Sequence, residues 1–341
     1  MQIQTYRVTV AAFMLASTNT YSNTPPSSVE SCLLQRIQSA NASTTVAQLR
    51  EQCAAATRSQ DHTLTTTEIE ADNTPASDNA IARRITREWR NRDHSYVITP
   101  HNPNFFLPFT HNTKPNVEPF LELDPDAEVD KNEAMIQVSV KFPVAIDLWD
   151  SNTDLMVAYT NRAWWQIYND EFSKPFRETN YEPELFLRHY TLNENKSWYV
   201  PEFFDFGYIH QSNGRSEPLS RSWDRILSSA AYQLNPNLSL LLRAWYRLPE
   251  NDDDNELAGE YRYLGYGDAR FVYTHNKHTF TMMARPGTEE ISVEATWSYP
   301  IAKHIRLMVY YYNGYAENLL DYNKKTERIG IGFSISDYLM N

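Results

Sequence analysis

The stretch Arg328-Ile-Gly-Ile-Gly-Phe-Ser-Ile-Ser336, near the C-terminus, alternates between apolar residues and small or polar ones. Successive side chains of a β-strand point to opposite faces, so the apolar residues of this stretch would share one face. They are Ile329, Ile331, Phe333 and Ile335. The same alternation recurs at 291–299 and at 136–144. Each of these stretches is therefore predicted to be a strand with one apolar face.

Alternation alone does not say whether the apolar face meets a protein core or lipid, but the number and spacing of the strands helps to decide. About twelve such segments follow Pro103, and an even number suits a closed antiparallel barrel in a membrane. They lie at roughly 104–113, 134–147, 153–168, 181–192, 198–210, 221–234, 237–248, 261–274, 277–285, 288–299, 303–315 and 327–337. Tight connections such as 235–237 alternate with longer ones such as 249–260, which is typical of outer-membrane barrels with short periplasmic turns. We therefore predict an all-β fold, a transmembrane antiparallel β-barrel over residues 101–341.

The composition of the 341 residues agrees with a barrel. The chain contains 22 Tyr, 15 Phe and 8 Trp, yet its mean hydropathy is -0.59. Barrel strands are apolar on one face only, so many aromatic residues and a hydrophilic average can coexist. No stretch approaches the roughly 18 to 20 apolar residues of a membrane-spanning helix. The net charge of -12 argues against a nucleic-acid partner, because phosphate binding needs clustered Lys and Arg.

The N-terminal hundred residues are predicted to lie outside the barrel. Residues 1–22 have the pattern of an export signal, with Arg7 before an apolar run, and a disordered N-terminus is the alternative. Residues 23–100 are expected to form a periplasmic extension that is partly helical and partly disordered. Its clearest helix is predicted at 80–89.

The extension contains the only two cysteines, Cys32 and Cys53. In an exported chain we expect them to form a disulfide, which would contribute on the order of 3 kcal/mol. Two free thiols in a cytosolic chain are the alternative.

A candidate catalytic pair lies at the end of the strand that includes Tyr208. This strand would run outward, so His210 and Ser212 would lie at the cell-surface end and on its lipid-facing side. Polar groups there are unusual unless they have a function. His210 could deprotonate Ser212 for attack on an ester carbonyl, and Asp224 on the next strand would orient the imidazole. On spacing alone, an interfacial belt formed by His210, Ser212 and Tyr208 is the alternative.

The segment His210-Gln-Ser-Asn-Gly-Arg-Ser-Glu-Pro-Leu-Ser-Arg-Ser-Trp-Asp-Arg225 resembles the active-site segment of the outer-membrane phospholipase A family. Further similar motifs occur in the same order at 164–166, 173–183, 298–304 and 314–323. The resemblance covers the chain from about residue 104 to the end.

The resemblance implies a calcium-dependent phospholipase A1 and A2 that hydrolyses phospholipids and lysophospholipids, with its active site facing the outer leaflet of the Gram-negative outer membrane. Ser212 matches the nucleophile and His210 the general base. Asp224 occupies the third position of the triad, where the family commonly has Asn. Gly214 matches the residue whose backbone amide is assigned to the oxyanion site. Gln211 stands where the family often has Asp, and we expect a mild effect because its side chain would face the lumen.

The resemblance also implies a calcium site formed between two subunits. The matching ligands are the carbonyls of Ser173 and Arg215 and the hydroxyl of Ser220, with Ser173 coming from the partner chain. Oxygen ligands suit this hard cation. Glu217 and the acidic residues 252–254 are a possible second cation site, although a solvated acidic loop explains residues 252–254 as well.

Asn161 is the candidate dimer residue. It is a lone amide among apolar residues on the predicted lipid-facing side of its strand, and a two-fold partner presenting the same residue would satisfy it. The family resemblance agrees, since the family is active as a homodimer. The alternative is that Asn161 lies near the interface and bonds to water or head groups.

A non-enzymatic, porin-like channel is the alternative for the whole protein, because a barrel of this size also suits a channel. The orientation of His210 separates the two hypotheses. On the lipid-facing side it indicates lipid chemistry, and on the lumen side it would suit a channel lining.

Overall fold

The structure is a computed structural model, and it describes residues 45–46, 48–50, 53, 80–92, 98–170, 176–191, 197–250 and 256–336. The chain divides into two compact units, Met1–Pro75 and Ala76–Asn341.

In the first unit Thr45 caps a helical segment, since its hydroxyl accepts from the Gln48 amide and its own amide donates to Gln48 Oε1. Cys53 is fully buried. Its predicted partner Cys32 and the predicted signal at 1–22 lie outside the described residues.

The second unit is built almost entirely of antiparallel strands. Its helices are α1 (Ala80–Asn91) and α2 (Glu118–Leu121), with short 3-10 turns at Leu148–Asp150 and Glu260–Arg262. Its strands are β1 (Thr99–Pro100), β2 (Asn104–Asn112), β3 (Asn132–Ala145), β4 (Thr153–Trp165), β5 (Phe176–Tyr190), β6 (Phe203–Ser212), β7 (Ser222–Asn235), β8 (Leu238–Arg247), β9 (Gly267–His275), β10 (His278–Pro286), β11 (Ile291–Ala302), β12 (Ile305–Tyr315) and β13 (Lys325–Ser336).

The strands β2 to β13 form a closed barrel. Each pairs antiparallel with its neighbours in sequence, and β13 also pairs with β2, which closes the ring. The twelve predicted barrel strands are therefore confirmed. Some ends differ from the prediction: β6 begins at Phe203 rather than near 198, because a turn at 197–200 and Pro201 precede it. No described helix is both long and apolar enough to cross a membrane.

The alternation in the sequence corresponds to the two faces of the wall. In β13 the four apolar residues of the opening stretch are 43% to 71% exposed on the outside, whereas Arg328 and Ser334 are buried inside. A side chain at Gly332 would place a Cβ 2.3 Å from the Phe106 carbonyl oxygen, so the close approach of β2 requires glycine there. The apolar face is thus the outer face, as a membrane barrel requires.

The helix α1 packs inside the end of the barrel that carries the short turns. Ile81 and Ile85 form a buried cluster with Tyr190, Phe203 and other wall residues. Glu88 accepts from Lys141 at 2.9 Å and pairs with Arg188 at 3.3 Å, and all three side chains are buried. From the sequence this helix is predicted to belong to the N-terminal extension, but its carboxylate Glu88 pairs with cations of the barrel wall inside the lumen. The compact barrel unit accordingly begins at Ala76 rather than after residue 100.

The opposite end of the lumen is covered by the longer connections. Leu257, Leu264 and Leu319 pack on Trp223 and Trp245 of the wall. Beneath them the carboxylates of Glu133, Glu317 and Asp321 are ion-paired to Arg177 and Arg328. A cavity of about 130 Å³ remains between the two ends. The described side chains therefore fill most of the lumen, which does not favour a channel.

Candidate active site

The predicted catalytic residues lie at the end of the β6–β7 pair that carries the longer connections. His210 is directly opposite Asp224, and Ser212 is directly opposite Ser222. Tyr208 is exposed on the outer face, while Ile209 between Tyr208 and His210 is buried on the inner face. The alternation of the strand therefore places His210 and Ser212 on the outer, lipid-facing side, as predicted. Tyr181 of β5, which is directly opposite Ser212, is also exposed on this outer face.

A hydrogen bond joins the imidazole to the third residue of the predicted triad. His210 Nδ1 lies 2.8 Å from Asp224 Oδ1, and the two side chains are 38% and 34% exposed. An ionised carboxylate only accepts, so Nδ1 carries the hydrogen and Nε2 is left to take a proton. Among the described contacts no hydrogen bond joins Ser212 Oγ to the ring. Catalytic hydrogen bonds often tighten only when substrate is bound.

The carboxylate of Asp224 has a second donor that the sequence analysis did not assign. The Tyr208 hydroxyl donates to Asp224 Oδ1 at 2.5 Å, the same oxygen that accepts from His210. Tyr208 is two residues before His210 on the same face of β6, so its ring can reach diagonally to β7. The shared face was visible in the sequence, but the diagonal reach depends on the register between the strands.

The lumen side of the same strand pair is held by Gln211. Its Oε1 accepts from Trp223 Nε1 at 2.7 Å and from an Arg225 guanidinium nitrogen at 3.1 Å. Both donors are on β7, so the side chain connects the two strands directly behind the catalytic pair. The predicted lumen orientation of Gln211 is therefore confirmed.

The connection from β6 to β7 is organised by Asn213, which is 4% exposed. Its Oδ1 accepts from the amides of Arg215 and Arg221, and its Nδ2 donates to the Leu219 carbonyl at 2.8 Å. Asparagine commonly bonds to the backbone two residues ahead, which is the signal that could have identified it from sequence. This one side chain fixes both ends of the loop that carries the predicted oxyanion and calcium residues.

Gly214 has a left-handed backbone with φ of 64°, and a Cβ there would lie 3.1 Å from Tyr181 Cε2. Glycine adopts this conformation without steric cost. The Gly214 amide donates no hydrogen bond within the described part of the chain. It is therefore available to an oxyanion beside Ser212.

The predicted calcium ligands can be compared with the structure in part. Arg215 and Ser220 lie in the loop that Asn213 organises, and neither the Arg215 carbonyl nor the Ser220 hydroxyl is engaged in a described hydrogen bond. The Arg215 side chain is tied to the start of β5 through the carbonyls of Phe176 and Arg177. Ser173 and residues 252–254 lie outside the described residues. No described group of three or more His, Cys, Asp or Glu could hold a metal, and Glu217 therefore belongs to no such group.

Asn161 lies on the outer face of β4, as predicted. It is opposite Val138 on one side and Tyr181 on the other, and both of these side chains are exposed. Its amide makes no hydrogen bond with any described residue. The outer face of β4 thus carries a polar amide between the exposed side chains of Val138 and Tyr181.

Comparison with known proteins gives the family. A profile of the family described as Phospholipase A1 matches residues 81–335. Phospholipase A1 of Escherichia coli (strain K12) is 33% identical over 270 residues, covering 79% of this chain and 90% of that protein. Phospholipase A1 of Proteus vulgaris is 33% identical over 270 residues, covering 77% and 89%.

Two solved structures agree with these relatives. Outer membrane phospholipase A from Escherichia coli superposes with a TM-score of 0.69 at 31% identity, covering 77% of this chain and 99% of that chain. The outer membrane phospholipase of Salmonella typhi, a dimer with bound calcium, gives a TM-score of 0.68 at 30% identity, covering 76% and 98%. The family profile, which matches residues 81–335, covers α1 from its second residue and all twelve barrel strands up to the penultimate residue of β13. The chain therefore belongs to the phospholipase A1 family and is an enzyme of the Gram-negative outer membrane with phospholipase activity.

Proposed function

We propose that the protein is a calcium-dependent phospholipase that hydrolyses the acyl esters of phospholipids and lysophospholipids, acting as a phospholipase A1 and A2, with Ser212, His210 and Asp224 as its catalytic residues. The observation that carries this proposal is the hydrogen bond between His210 Nδ1 and Asp224 on the lipid-facing wall. His210 is two residues before Ser212 on the same strand. An ester that enters from the membrane meets these groups without leaving the lipid phase.

The chemistry proceeds in two acyl transfers. Ser212 Oγ attacks the ester carbonyl carbon while His210 Nε2 takes the hydroxyl proton, and the Gly214 amide donates to the oxygen that becomes negative. The ester bond breaks as His210 returns the proton to the leaving alkoxide, which gives a lysophospholipid and an acyl-serine. Water, deprotonated by His210, then releases the fatty acid and regenerates Ser212.

The loop after β6 fits a calcium site. The Arg215 carbonyl and the Ser220 hydroxyl are uncommitted oxygens on one loop, which are the ligands that this hard cation prefers. Ser173 of the partner subunit would complete the set. A calcium ion bound there supplies positive charge near the developing oxyanion. The calcium reported with the Salmonella typhi dimer supports this assignment.

We further propose that the active form is a homodimer across the outer face of β4, with Asn161 in the contact. The unpartnered amide of Asn161 and the dimer of the Salmonella typhi protein support this arrangement. Since the short turns of such barrels lie in the periplasm, the catalytic end would face the outer leaflet. The export signal at 1–22, the periplasmic extension and the Cys32–Cys53 disulfide remain predictions.

The test is fatty-acid release by the refolded full-length chain from mixed micelles of a phospholipid with different acyl chains at the two positions. We expect release from both positions, and from the lysophospholipid, in excess calcium. The rate should fall by roughly tenfold or more with chelator, since the metal stabilises transition-state charge. An equal rate in calcium and in chelator would remove the metal from the proposal.

A further inference from the structure

The Asp224 carboxylate lies in an unusual setting for a catalytic group. It sits on the outer wall with 34% of its side chain exposed, so burial does not fix its orientation. In the Ser-His-Asp arrangement of other folds the Asp is buried where it holds the imidazole. Two described donors reach the Asp224 carboxylate, the His210 ring and the Tyr208 hydroxyl, and both bond to Oδ1. Tyr208 is thus the described donor that holds the carboxylate independently of His210.

We propose that Tyr208 is a positioning residue of the active site, which acts by anchoring the Asp224 carboxylate so that Asp224 can orient His210. The inference rests on the proposed catalytic roles of His210 and Asp224. A hydrogen bond to an ionised acceptor is stronger than one between neutral groups, so the anchor is well matched to a carboxylate at this position. An Asn at 224 would accept a weaker bond from the same hydroxyl.

The alternative is that Tyr208 is an ordinary interfacial aromatic residue, since Tyr is enriched where membrane proteins meet the membrane surface. Such a role needs an amphipathic ring whose hydroxyl reaches water or head groups. Here the hydroxyl is instead bonded to Asp224. Removal of the Tyr208 hydroxyl alone should therefore lower activity if Tyr208 anchors Asp224, and should leave activity unchanged if Tyr208 is only an interfacial aromatic residue.

The wall offers a matched control. Ile226 of β7 is directly opposite Tyr208 on one side and directly opposite Tyr246 on the other, so the two tyrosines belong to the same row of paired residues on the outer face. Tyr246 is 62% exposed, and its hydroxyl has no described hydrogen bond. The substitutions Tyr208→Phe and Tyr246→Phe remove the same hydroxyl from two tyrosines of one row, of which Tyr208 is bonded to Asp224.

The experiment compares kcat and KM for phospholipid hydrolysis in calcium. We expect Tyr208→Phe to lower kcat roughly tenfold with little change in KM, which is the effect of losing a charge-assisted hydrogen bond, and Tyr246→Phe to change neither value by more than about twofold. Equal kcat values for the two variants would overturn the proposal.

A double-mutant cycle tests whether Tyr208 acts through Asp224. In an Asp224→Ala background, Tyr208→Phe should have no further effect, because the group it anchors is absent. The rate of Ser212 modification by an alkyl sulfonyl fluoride reports the same coupling where turnover is slow. A similar loss in both backgrounds would show that the hydroxyl does not act through Asp224. If Ser212→Ala kept full turnover, the proposed function itself would be wrong, and this outcome is distinct from a failure of Tyr208 alone.

Discussion

Among single residues, Asp224 stands at the third position of the proposed triad, where the family resemblance implies Asn. In this chain Asp224 makes the bond to His210 Nδ1 that an asparagine oxygen could also accept. The difference between the two residues is therefore charge rather than geometry.

We predict that Asp224→Asn changes kcat by roughly threefold to tenfold and leaves KM nearly unchanged. A neutral amide favours the protonated imidazole less than a carboxylate does, so the acidic limb of the pH–rate profile should move to lower pH. The measurement is kcat/KM between pH 5 and pH 9 in excess calcium. Complete loss of activity would mean that the carboxylate has a role which an amide cannot replace.

Gly214 gives a second prediction for a single residue. Its positive φ and the nearness of Tyr181 mean that Gly214→Ala must shift the loop, at a backbone cost of about 1–2 kcal/mol. We expect kcat to fall by roughly tenfold to a hundredfold, because the amide leaves the oxyanion position. Gly259→Ala is a suitable control, since Gly259 has a similar φ of 74° in another loop. An unchanged kcat for Gly214→Ala would remove Gly214 from the oxyanion site.

For the elements, the strands were predictable and the packing of α1 was not. Alternation in sequence reflects a local property, the direction of successive side chains, so the twelve strands and the outward face of His210 could be predicted from it. The docking of α1 depends on pairs far apart in sequence, such as Glu88 with Lys141, and no local pattern encodes them. The role of Asn213 lies between these cases, because its backbone contacts are local but its burial is not.

The docked helix α1 makes a testable prediction about pH. Although burial tends to raise the pKa of Glu88, the cations of Lys141, Arg84 and Arg188 hold this pKa well below its ordinary value. The stabilisation from Glu88 is therefore complete above the ordinary glutamate pKa and is lost only as the pH falls towards the lowered value. The protection factors of the backbone amides of residues 81–91, which correct for the slower intrinsic exchange in acid, should stay high at neutral pH and fall in strong acid.

The matching variant is Glu88→Gln, which removes the carboxylate paired with the buried ammonium of Lys141, while Arg188 keeps its ion pair with Asp205. We expect it to destabilise the docked helix by about 3 kcal/mol, read as faster hydrogen exchange in α1 at neutral pH. Thr86→Ala changes an exposed residue of the same helix and should have little effect. Exchange that is equally slow in Glu88→Gln and in the wild type would show that the ion pairs do not hold α1 in the lumen.

For the whole molecule, the proposed functional groups of the barrel lie on its outer wall rather than in its lumen. The lumen is packed with ion pairs and covered at both ends by described residues, whereas the proposed catalytic groups and Asn161 are on the outer wall. The substrate, the partner subunit and the membrane would therefore all meet the same surface. The composition indicated a membrane barrel, but it could not show which face of the wall carries the active site.

The dimer is tested at Asn161. We predict that Asn161→Ala lowers the yield of cross-linked dimer severalfold and raises the calcium concentration needed for half-maximal activity, because each calcium site would use Ser173 of the partner subunit. Met282→Ala, an exposed residue of β10 on the opposite side of the ring of strands from β4, is the control for a general change in the wall. Unchanged cross-linking and unchanged calcium dependence would remove Asn161 from the interface.

If Ser212 on the lipid-facing wall is the nucleophile of this phospholipase, removal of its hydroxyl should stop turnover, whereas removal of a neighbouring serine hydroxyl should not. Ser222 is a serine directly opposite Ser212 on the neighbouring strand, so Ser222→Ala is its matched control. In excess calcium, Ser212→Ala should lose phospholipid hydrolysis by roughly a thousandfold or more while the barrel stays folded by circular dichroism, and Ser222→Ala should stay within about twofold of the wild type. Near-normal turnover by folded Ser212→Ala would show that Ser212 is not the nucleophile.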